Sequence, residues 1–103
     1  MTFEIIILPR AQAEIEKICS WLTQWSAAAA ARWHGRIGDA IRSLENHPER
    51  CALAPESLNF KEEIRQLLFG KKANIYRILF VVEERRVVVL SVRHGSREIL
   101  KPD

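Results

Sequence analysis

The spacing of apolar side chains changes from helical to strand-like between Leu44 and Ile64, and this change most limits the possible folds. Between Ala11 and Leu44, apolar residues recur at steps of three and four, which places them on one face of a helix. From Ile64 onward they fill short runs rich in β-branched residues, which are typical of strands. Helices therefore precede a group of strands, and elements segregated in this way predict an α+β domain.

The element boundaries follow from the residues that start and stop them. A β-branched run at 3–8 ends at Pro9, whose missing amide stops a strand, and a helix is predicted over 10–25. Ser26 is a good N-cap, and the five alanines after it begin a second helix that ends before Pro48. After a loop at 48–60, strands are predicted at 64–69, 75–82 and 86–93. Short connections predict a helix hairpin on one face of an antiparallel three-strand meander.

Length and composition describe an ordinary globular protein. The 103 residues have room for one hydrophobic core, so we expect a single domain over 1–103. With 48% hydrophobic and 28% charged residues, the composition excludes a disordered chain. No apolar run approaches the roughly 20 residues of a membrane-spanning helix, and the amino terminus lacks a signal-peptide pattern. We expect a soluble protein of the cytoplasm.

The two cysteines do not form a recognisable site. Cys19 falls in a helical pattern and Cys51 in a loop, so they have neither metal-ligand spacing nor the number needed for a disulfide framework. We expect free thiols and predict no metal ion and no other cofactor. The net charge of +3 is modest, but positive charge is concentrated in the C-terminal third. We expect this part of the chain to face an anionic partner.

Alternation along the last two strands assigns side chains to the two faces of the sheet. Towards the helices we expect Tyr76, Ile78, Phe80 and Val82, followed by Val88, Leu90 and Val92. On the opposite face we expect Ile75, Arg77, Leu79 and Val81, followed by Val87, Val89, Ser91 and Arg93. The opposite face is thus predicted to be partly basic and partly apolar.

Five local strings occur in an order that matches a known superfamily. They are Pro9-Arg10-Ala11, Leu44-Glu45-Asn46-His47-Pro48, Ile64-Arg65-Gln66-Leu67, Asn74-Ile75-Tyr76-Arg77-Ile78-Leu79-Phe80 and Val92-Arg93-His94-Gly95-Ser96-Arg97. Their order and spacing, across essentially the whole chain, resemble the RelE/ParE superfamily of toxins. The resemblance implies a RelE/ParE-like α+β fold and the toxin of a type II toxin–antitoxin module of the plasmid-stabilisation type. It also implies a cognate antitoxin that wraps around the toxin and suppresses it.

The resemblance leaves the target open. RelE-like members cut messenger RNA in the ribosomal A site, whereas ParE-like members inhibit DNA gyrase and need no nuclease chemistry. Metal-free RNA cleavage requires basic groups that converge on one phosphate. The candidates for this catalytic set are Arg65, Arg77, His94 and Arg97, and Arg93 is a second candidate to close the same patch.

Each nuclease candidate also has a structural alternative. Arg65 and Arg77 could pair with carboxylates, and His94 could be a hydrogen-bonded structural histidine. RelE-like nucleases often carry a tyrosine near the end of the last strand, but the only tyrosine here, Tyr76, is expected in the core or at its rim. The incomplete set favours a ParE-like inhibitor of DNA gyrase. A ribosome-dependent mRNA endoribonuclease and a decayed, non-toxic member are the alternatives.

Contact with a partner is expected at two places. Trp21 lies off the apolar stripe of the first helix and is the candidate there, whereas Trp25 and Trp33 fit the helix faces and are expected in the core. The antitoxin is expected to cover the open sheet face or a helix groove, because the sheet face would otherwise expose an apolar patch. Its residues are Leu79, Val81, Val87 and Val89, with Arg93 beside them.

Overall fold

The elements follow one another as predicted, in a computed structural model that describes residues 2–101. They are β1 (Glu4–Ile7), α1 (Pro9–Thr23), α2 (Ala27–Arg42), β2 (Arg65–Lys71), β3 (Asn74–Glu83) and β4 (Arg86–His94). Three short 3₁₀ turns, Ser43–Glu45, Pro48–Arg50 and Pro55–Asn59, connect α2 to β2. Positions 1, 102 and 103 of the predicted domain lie outside the described residues.

The two helices start at residues that suit a helix amino terminus. Pro9 occupies the first turn of α1, where its missing N–H costs no hydrogen bond. The Oγ of Ser26 accepts a hydrogen bond from the backbone N–H of Ala29 at 3.1 Å, so Ser26 is the predicted N-cap of α2. Because α1 ends at Thr23, Trp25 lies in the turn between the helices and is 74% exposed. The predicted place of Trp25 in the core is therefore wrong.

The four strands form one mixed sheet in the order β1-β4-β3-β2. β2, β3 and β4 are antiparallel neighbours, which confirms the predicted meander. The turn from β2 to β3 requires Gly70, whose φ is 116° and whose position would bring a Cβ against the carbonyl oxygen of Asn74. β1 pairs in parallel with β4, with Ile6 opposite Val88. Because α1 begins directly after β1, this pairing sets α1 beside β4.

A β-bulge in β4 changes which of its side chains face the helices. The ladder pairs Phe80 with Val89 but Leu79 with Ser91, so Leu90 is an extra residue that inverts the alternation. The β4 residues in the helix-side core are Val87, Val89 and Val92. Those packed on the opposite face are Val88 and Leu90. The predicted faces are thus correct for Val92 and wrong for residues 87–90.

Apolar side chains are buried on both faces of the sheet. The helices cover the larger cluster, which includes Ala11, Ile15, Ile37, Ile41, Leu44, Ile78, Phe80, Val87, Val89 and Val92. The opposite face carries a smaller cluster of Ala54, Ile64, Leu79, Val81 and Leu100. The chain therefore covers this face itself, with residues from the loop before β2 and from the C-terminal segment. The predicted exposed patch is wrong, because Leu79, Val81, Val87 and Val89 are at most 6% exposed.

Two further properties of the chain follow from the fold. Cys19 and Cys51 are free thiols, and burial raises the pKa of both. Neither helix in residues 2–101 has the length and apolar character needed to cross a membrane.

Candidate functional site

Arg77 is committed to an ion pair inside the protein. Its Nη1 and Nη2 donate to Oε1 and Oε2 of Glu56 at 2.9 and 2.6 Å, and its Nη1 also donates to Oε1 of Gln66 at 3.0 Å. Glu56 is fully buried and accepts a further hydrogen bond from the backbone N–H of Leu100 at 3.1 Å. We call this arrangement the Glu56–Arg77 clamp. It ties the C-terminal segment to the sheet and uses donors that phosphate binding would need.

The clamp changes the acidity of Glu56. Burial alone would raise the pKa of this carboxyl group, but the hydrogen bonds from Arg77 and from the Leu100 amide outweigh burial and lower the pKa to about 2. The hydrogen bond to Glu56 also raises the pKa of Arg77. Both groups are charged near neutral pH, so neither is suited to proton transfer there. The structure thus supports the structural alternative for Arg77.

Arg65 also makes its contacts within the chain. Its Nη1 donates to the carbonyl oxygens of Cys51 and Glu49, at 2.7 and 3.3 Å. Its Nη2 lies 3.9 Å from Oε1 of the exposed Glu63. These contacts hold the loop after α2 against β2, which is a structural role.

Arg93 is the cross-strand neighbour of Arg77, but its surroundings are different. It is only 6% exposed, and its Nη2 donates to the carbonyl oxygen of Glu98 at 3.1 Å. Its Nε and Nη1 are buried without a hydrogen-bond partner in residues 2–101. Burial lowers the pKa of Arg93, and the positive charge of Arg97 lowers it further. Arg93 is therefore a buried cation whose charge is poorly compensated.

A cleft of about 320 Å³ opens beside Arg93, between α1 and the end of β4. We call it the Arg93 cleft, and its lining includes Glu14, Lys17, Trp21, Arg93, His94 and Arg97. Glu14 is occupied elsewhere, because its Oε1 accepts hydrogen bonds from the Ser91 hydroxyl at 2.8 Å and the Val92 amide at 3.0 Å. The cleft brings together His94 and Arg97 but neither Arg65 nor Arg77. The predicted catalytic residues are thus not gathered around one point.

His94 is fixed at the rim of the Arg93 cleft. Its Nδ1 lies 2.7 Å from the Oγ of Ser96 and accepts a hydrogen bond from the Ser96 amide at 3.1 Å. The imidazole packs edge-on against Tyr76, with ring centroids 5.2 Å apart. Tyr76 is 7% exposed and burial raises its pKa, so its predicted place in the core or at its rim is confirmed.

A larger groove of about 860 Å³ lies between the helix hairpin and the β2–β3 turn. We call it the tryptophan groove; it is lined by Trp21, Trp25, Trp33, Phe69 and Tyr76, with Arg32, Arg36 and Lys71 as basic residues. Trp21 is 54% exposed, as predicted, and lies edge-to-face with Trp25 at 6.3 Å between centroids. Exposed tryptophans beside an apolar groove are typical of a surface that contacts another protein.

Trp33 belongs to the inner wall of this groove. It packs edge-on against Phe69 and Tyr76, with centroids 6.0 and 5.3 Å apart, and it contacts the helix-side core as predicted. Its indole Nε1 is buried and has no acceptor in the part of the chain that the structure describes. A buried indole N–H normally has an acceptor, so the groove wall offers an unused donor.

Comparison with known proteins identifies the family of this chain. The family model described as the ParE toxin of the type II toxin–antitoxin system, parDE, matches residues 5–99. This chain belongs to the ParE toxin family. A solved structure titled "Chromosomal ParDE TA system from P. aeruginosa" has a similar fold, with a TM-score of 0.70 at 13% identity over 90% of this chain and 96% of that chain. A search of curated proteins gave no match.

The family match confirms the predicted toxin of the RelE/ParE superfamily, and the structural match confirms the predicted α+β fold. Two carboxylates hold residues of β3 and β4 in place: Glu14 binds Ser91 and Val92, and Glu56 binds Arg77. Only Glu14 stands out in the sequence of this ParE toxin. Glu14 lies three residues after Ala11 and so interrupts the apolar stripe of α1, which is a detectable signal. Glu56 follows Pro55 in a loop without periodicity, so nothing in the sequence marks it as buried.

Proposed function

We propose that this ParE toxin acts by binding and inhibiting DNA gyrase, and that a cognate antitoxin neutralises it by occupying the tryptophan groove. Membership of the ParE toxin family supports the toxin–antitoxin part of the proposal. The internal contacts of Arg65 and Arg77 support binding rather than cleavage as the mode of action. A toxin that works by binding needs a contact surface and no catalytic set.

The state of Arg77 is the observation that carries this choice. RNA cleavage without a metal requires basic groups that converge on one phosphate. A phosphate that used Arg77 would have to displace the fully buried carboxylate of Glu56, and an unpaired buried charge is strongly unfavourable. The remaining candidates, His94 and Arg97, line a cleft that does not include Arg77.

A gyrase supercoiling assay with purified toxin tests the proposed target. Increasing toxin is added to gyrase, ATP and relaxed plasmid, and we expect supercoiling to fall and to recover when the antitoxin is added. Primer extension on messages translated in the presence of the same toxin should show no new cuts. Full supercoiling at excess toxin would contradict the gyrase proposal, and toxin-dependent cuts would identify the endoribonuclease instead. Normal growth on strong induction without antitoxin would identify a member that has lost its toxicity.

The chemistry of the tryptophan groove indicates what kind of segment it would hold. Its wall is largely aromatic, three basic residues line it, and no carboxylate of residues 2–101 does so. An acidic amphipathic segment would bury apolar side chains on the aromatic wall and meet the basic residues with its charges. The unused N–H of Trp33 would suit a carbonyl or carboxylate of the same segment.

Substitution of Trp25 tests this docking site. Because Trp25 is 74% exposed, Trp25→Ser should leave the fold intact while removing aromatic contact area. We expect its affinity for the cognate antitoxin to fall about 30-fold or more, as for an aromatic residue at the centre of an interface. Leu58→Ser is the matched control, since Leu58 is 91% exposed and lies outside the groove. Equal antitoxin affinity for Trp25→Ser and the parent by calorimetry would contradict this site.

A further inference from the structure

The Arg93 cleft contains a positive charge that forms no ion pair within residues 2–101. Arg93 is 6% exposed, and its guanidinium makes one hydrogen bond within residues 2–101, to the carbonyl oxygen of Glu98. Its Nε and Nη1 are buried without a partner in that range. Buried cations in proteins are normally paired with an anion, because the desolvation of an unpaired charge is costly. Within residues 2–101, two of the three guanidinium nitrogens of Arg93 therefore remain available to an anion.

The nearby carboxylates do not fill this role. Glu14 lines the cleft, but its Oε1 holds Ser91 and the Val92 amide, and its Oε2 lies 3.7 Å from Nε of Arg10. Glu56 is already bound by Arg77, the cross-strand neighbour of Arg93. Turning either carboxylate towards Arg93 would break bonds that hold β4 or the C-terminal segment.

The rim of the cleft adds further positive charge. Lys17, on α1, and Arg97, after β4, are exposed side chains that line the cleft together with the half-buried His94. Glu14 carries the single carboxylate among the cleft-lining residues that the structure describes. This balance attracts an anion towards Arg93.

The size and lining of the cleft indicate which anion fits. Its volume of about 320 Å³ suits one or two side chains, and its wall includes the apolar surfaces of Ile18 and Trp21. We propose that the Arg93 cleft is a carboxylate-binding site that accepts an acidic side chain of a partner peptide, with an apolar neighbour of that residue packing on Ile18 and Trp21. Because Nε and Nη1 of Arg93 are shielded from solvent, binding requires the side chains that cover them to shift.

Trp21 and Tyr76 line both the Arg93 cleft and the tryptophan groove, so the two cavities adjoin. A segment that leaves the groove along α1 would therefore reach Arg93. The identity of the partner as the antitoxin rests on the proposed function, whereas the carboxylate specificity of the cleft does not. Short synthetic peptides can test the cleft without gyrase or antitoxin, so the two proposals can fail separately.

Nuclear magnetic resonance of the full chain labelled with ¹⁵N tests the proposal. The probes are two blocked dipeptides, N-acetyl-Leu-Glu-amide and N-acetyl-Leu-Gln-amide, which differ in charge but hardly in shape. We expect the glutamate peptide to shift the Nε–H resonance of Arg93 and to bind about tenfold or more tighter than the glutamine peptide, the advantage of a charged hydrogen bond. Arg93→Met should abolish this difference. Equal binding of the two peptides to the parent would overturn the proposal.

Two further arms keep the test decisive. If Arg93→Met does not fold, the double variant Lys17→Gln with Arg97→Gln replaces it, because both side chains are exposed. This double variant should bind the glutamate peptide about threefold or more weaker than the parent does and bind the glutamine peptide with the same affinity. An unchanged affinity for the glutamate peptide would overturn the proposal. Inorganic phosphate is the third probe. A response to phosphate as strong as that to the glutamate peptide would overturn carboxylate specificity and indicate a general anion site.

Discussion

Arg77 and Arg93 face each other across β3 and β4, yet the fold gives them opposite surroundings. Arg77 meets the fully buried carboxylate of Glu56, which the loop after α2 supplies. Arg93 is 6% exposed, whereas Arg77 is half-buried, and Nε and Nη1 of Arg93 have no partner in residues 2–101. The two arginines occupy paired positions in neighbouring strands, but the segments packed over them differ. The role of an arginine in a strand is therefore decided by parts of the chain that are distant in sequence.

The largest expected effect comes from removing the cation of the clamp. Arg77→Met leaves the Glu56 carboxylate buried without its partner, and we expect the free energy of unfolding to fall by about 3–5 kcal/mol. Urea denaturation measures the change. The control is Arg42→Met, because the Arg42–Asp39 ion pair is exposed and its loss should cost less than about 1 kcal/mol. A similarly small loss for Arg77→Met would remove the difference between the two arginines.

Acid should weaken the clamp in a defined pH range. The pKa of Glu56 is lowered from 4.5 to about 2 in the folded chain, so its contribution is complete above pH 4.5 and is lost as the pH falls towards 2. A shift of this size corresponds to stabilisation on the order of 3 kcal/mol. The free energy of unfolding of Glu56→Gln should accordingly vary less between pH 5 and pH 2 than that of the parent. Parallel curves for the two proteins would show that Glu56 titrates normally.

The C-terminal segment should contribute to stability on the sheet face that carries the Glu56–Arg77 clamp. Leu100 is 9% exposed and packs in the smaller apolar cluster, while its amide donates to Glu56. Leu100→Ala keeps the amide but removes apolar contact, so we expect a loss of about 2–3 kcal/mol. Ile99→Ala is the control, because Ile99 is 43% exposed. This substitution should lower the free energy of unfolding by less than about 1 kcal/mol. Equal losses for the two variants would mean that the segment does not hold its observed position.

The smallest effect is expected at Arg93. Arg93→Met removes a buried charge whose Nε and Nη1 have no partner in residues 2–101, so the free energy of unfolding should stay within about 1 kcal/mol of the parent or rise. The same urea series as for Arg77→Met gives the comparison directly. A loss above about 2 kcal/mol would show that Arg93 supports the fold, and it would weaken the case for a ligand at this residue.

Most of the fold could be predicted because its signals are local. Pro9, Ser26 and the change of apolar spacing mark the element boundaries without reference to distant contacts. The faces of β4 could not be predicted in full, because the bulge at Leu90 shifts the pairing and no residue near it is a sequence signal for a bulge. Trp25 was misplaced for a related reason, since the helix ends before the apolar period does.

The site was harder to predict because it depends on pairings between distant segments. Arginines at 65, 77 and 93 are equivalent as sequence features, and only Glu56 and the loop carbonyls distinguish their roles. The sequence predicts Leu79 and Val81 to be open to a partner, because no local signal shows that Ala54, Ile64 and Leu100 cover them. The exposure of Trp21 could be predicted, because its position off the helix stripe is a local property.

The proposed mode of action of this toxin is to bind a protein and not to cut RNA. It is tested most directly by extracting a reporter plasmid and total RNA from the same culture shortly after toxin induction without antitoxin. We predict a shift of the plasmid topoisomers towards relaxation on a chloroquine gel, while primer extension shows intact messages. Unchanged topoisomers together with newly cut messages would contradict the claim.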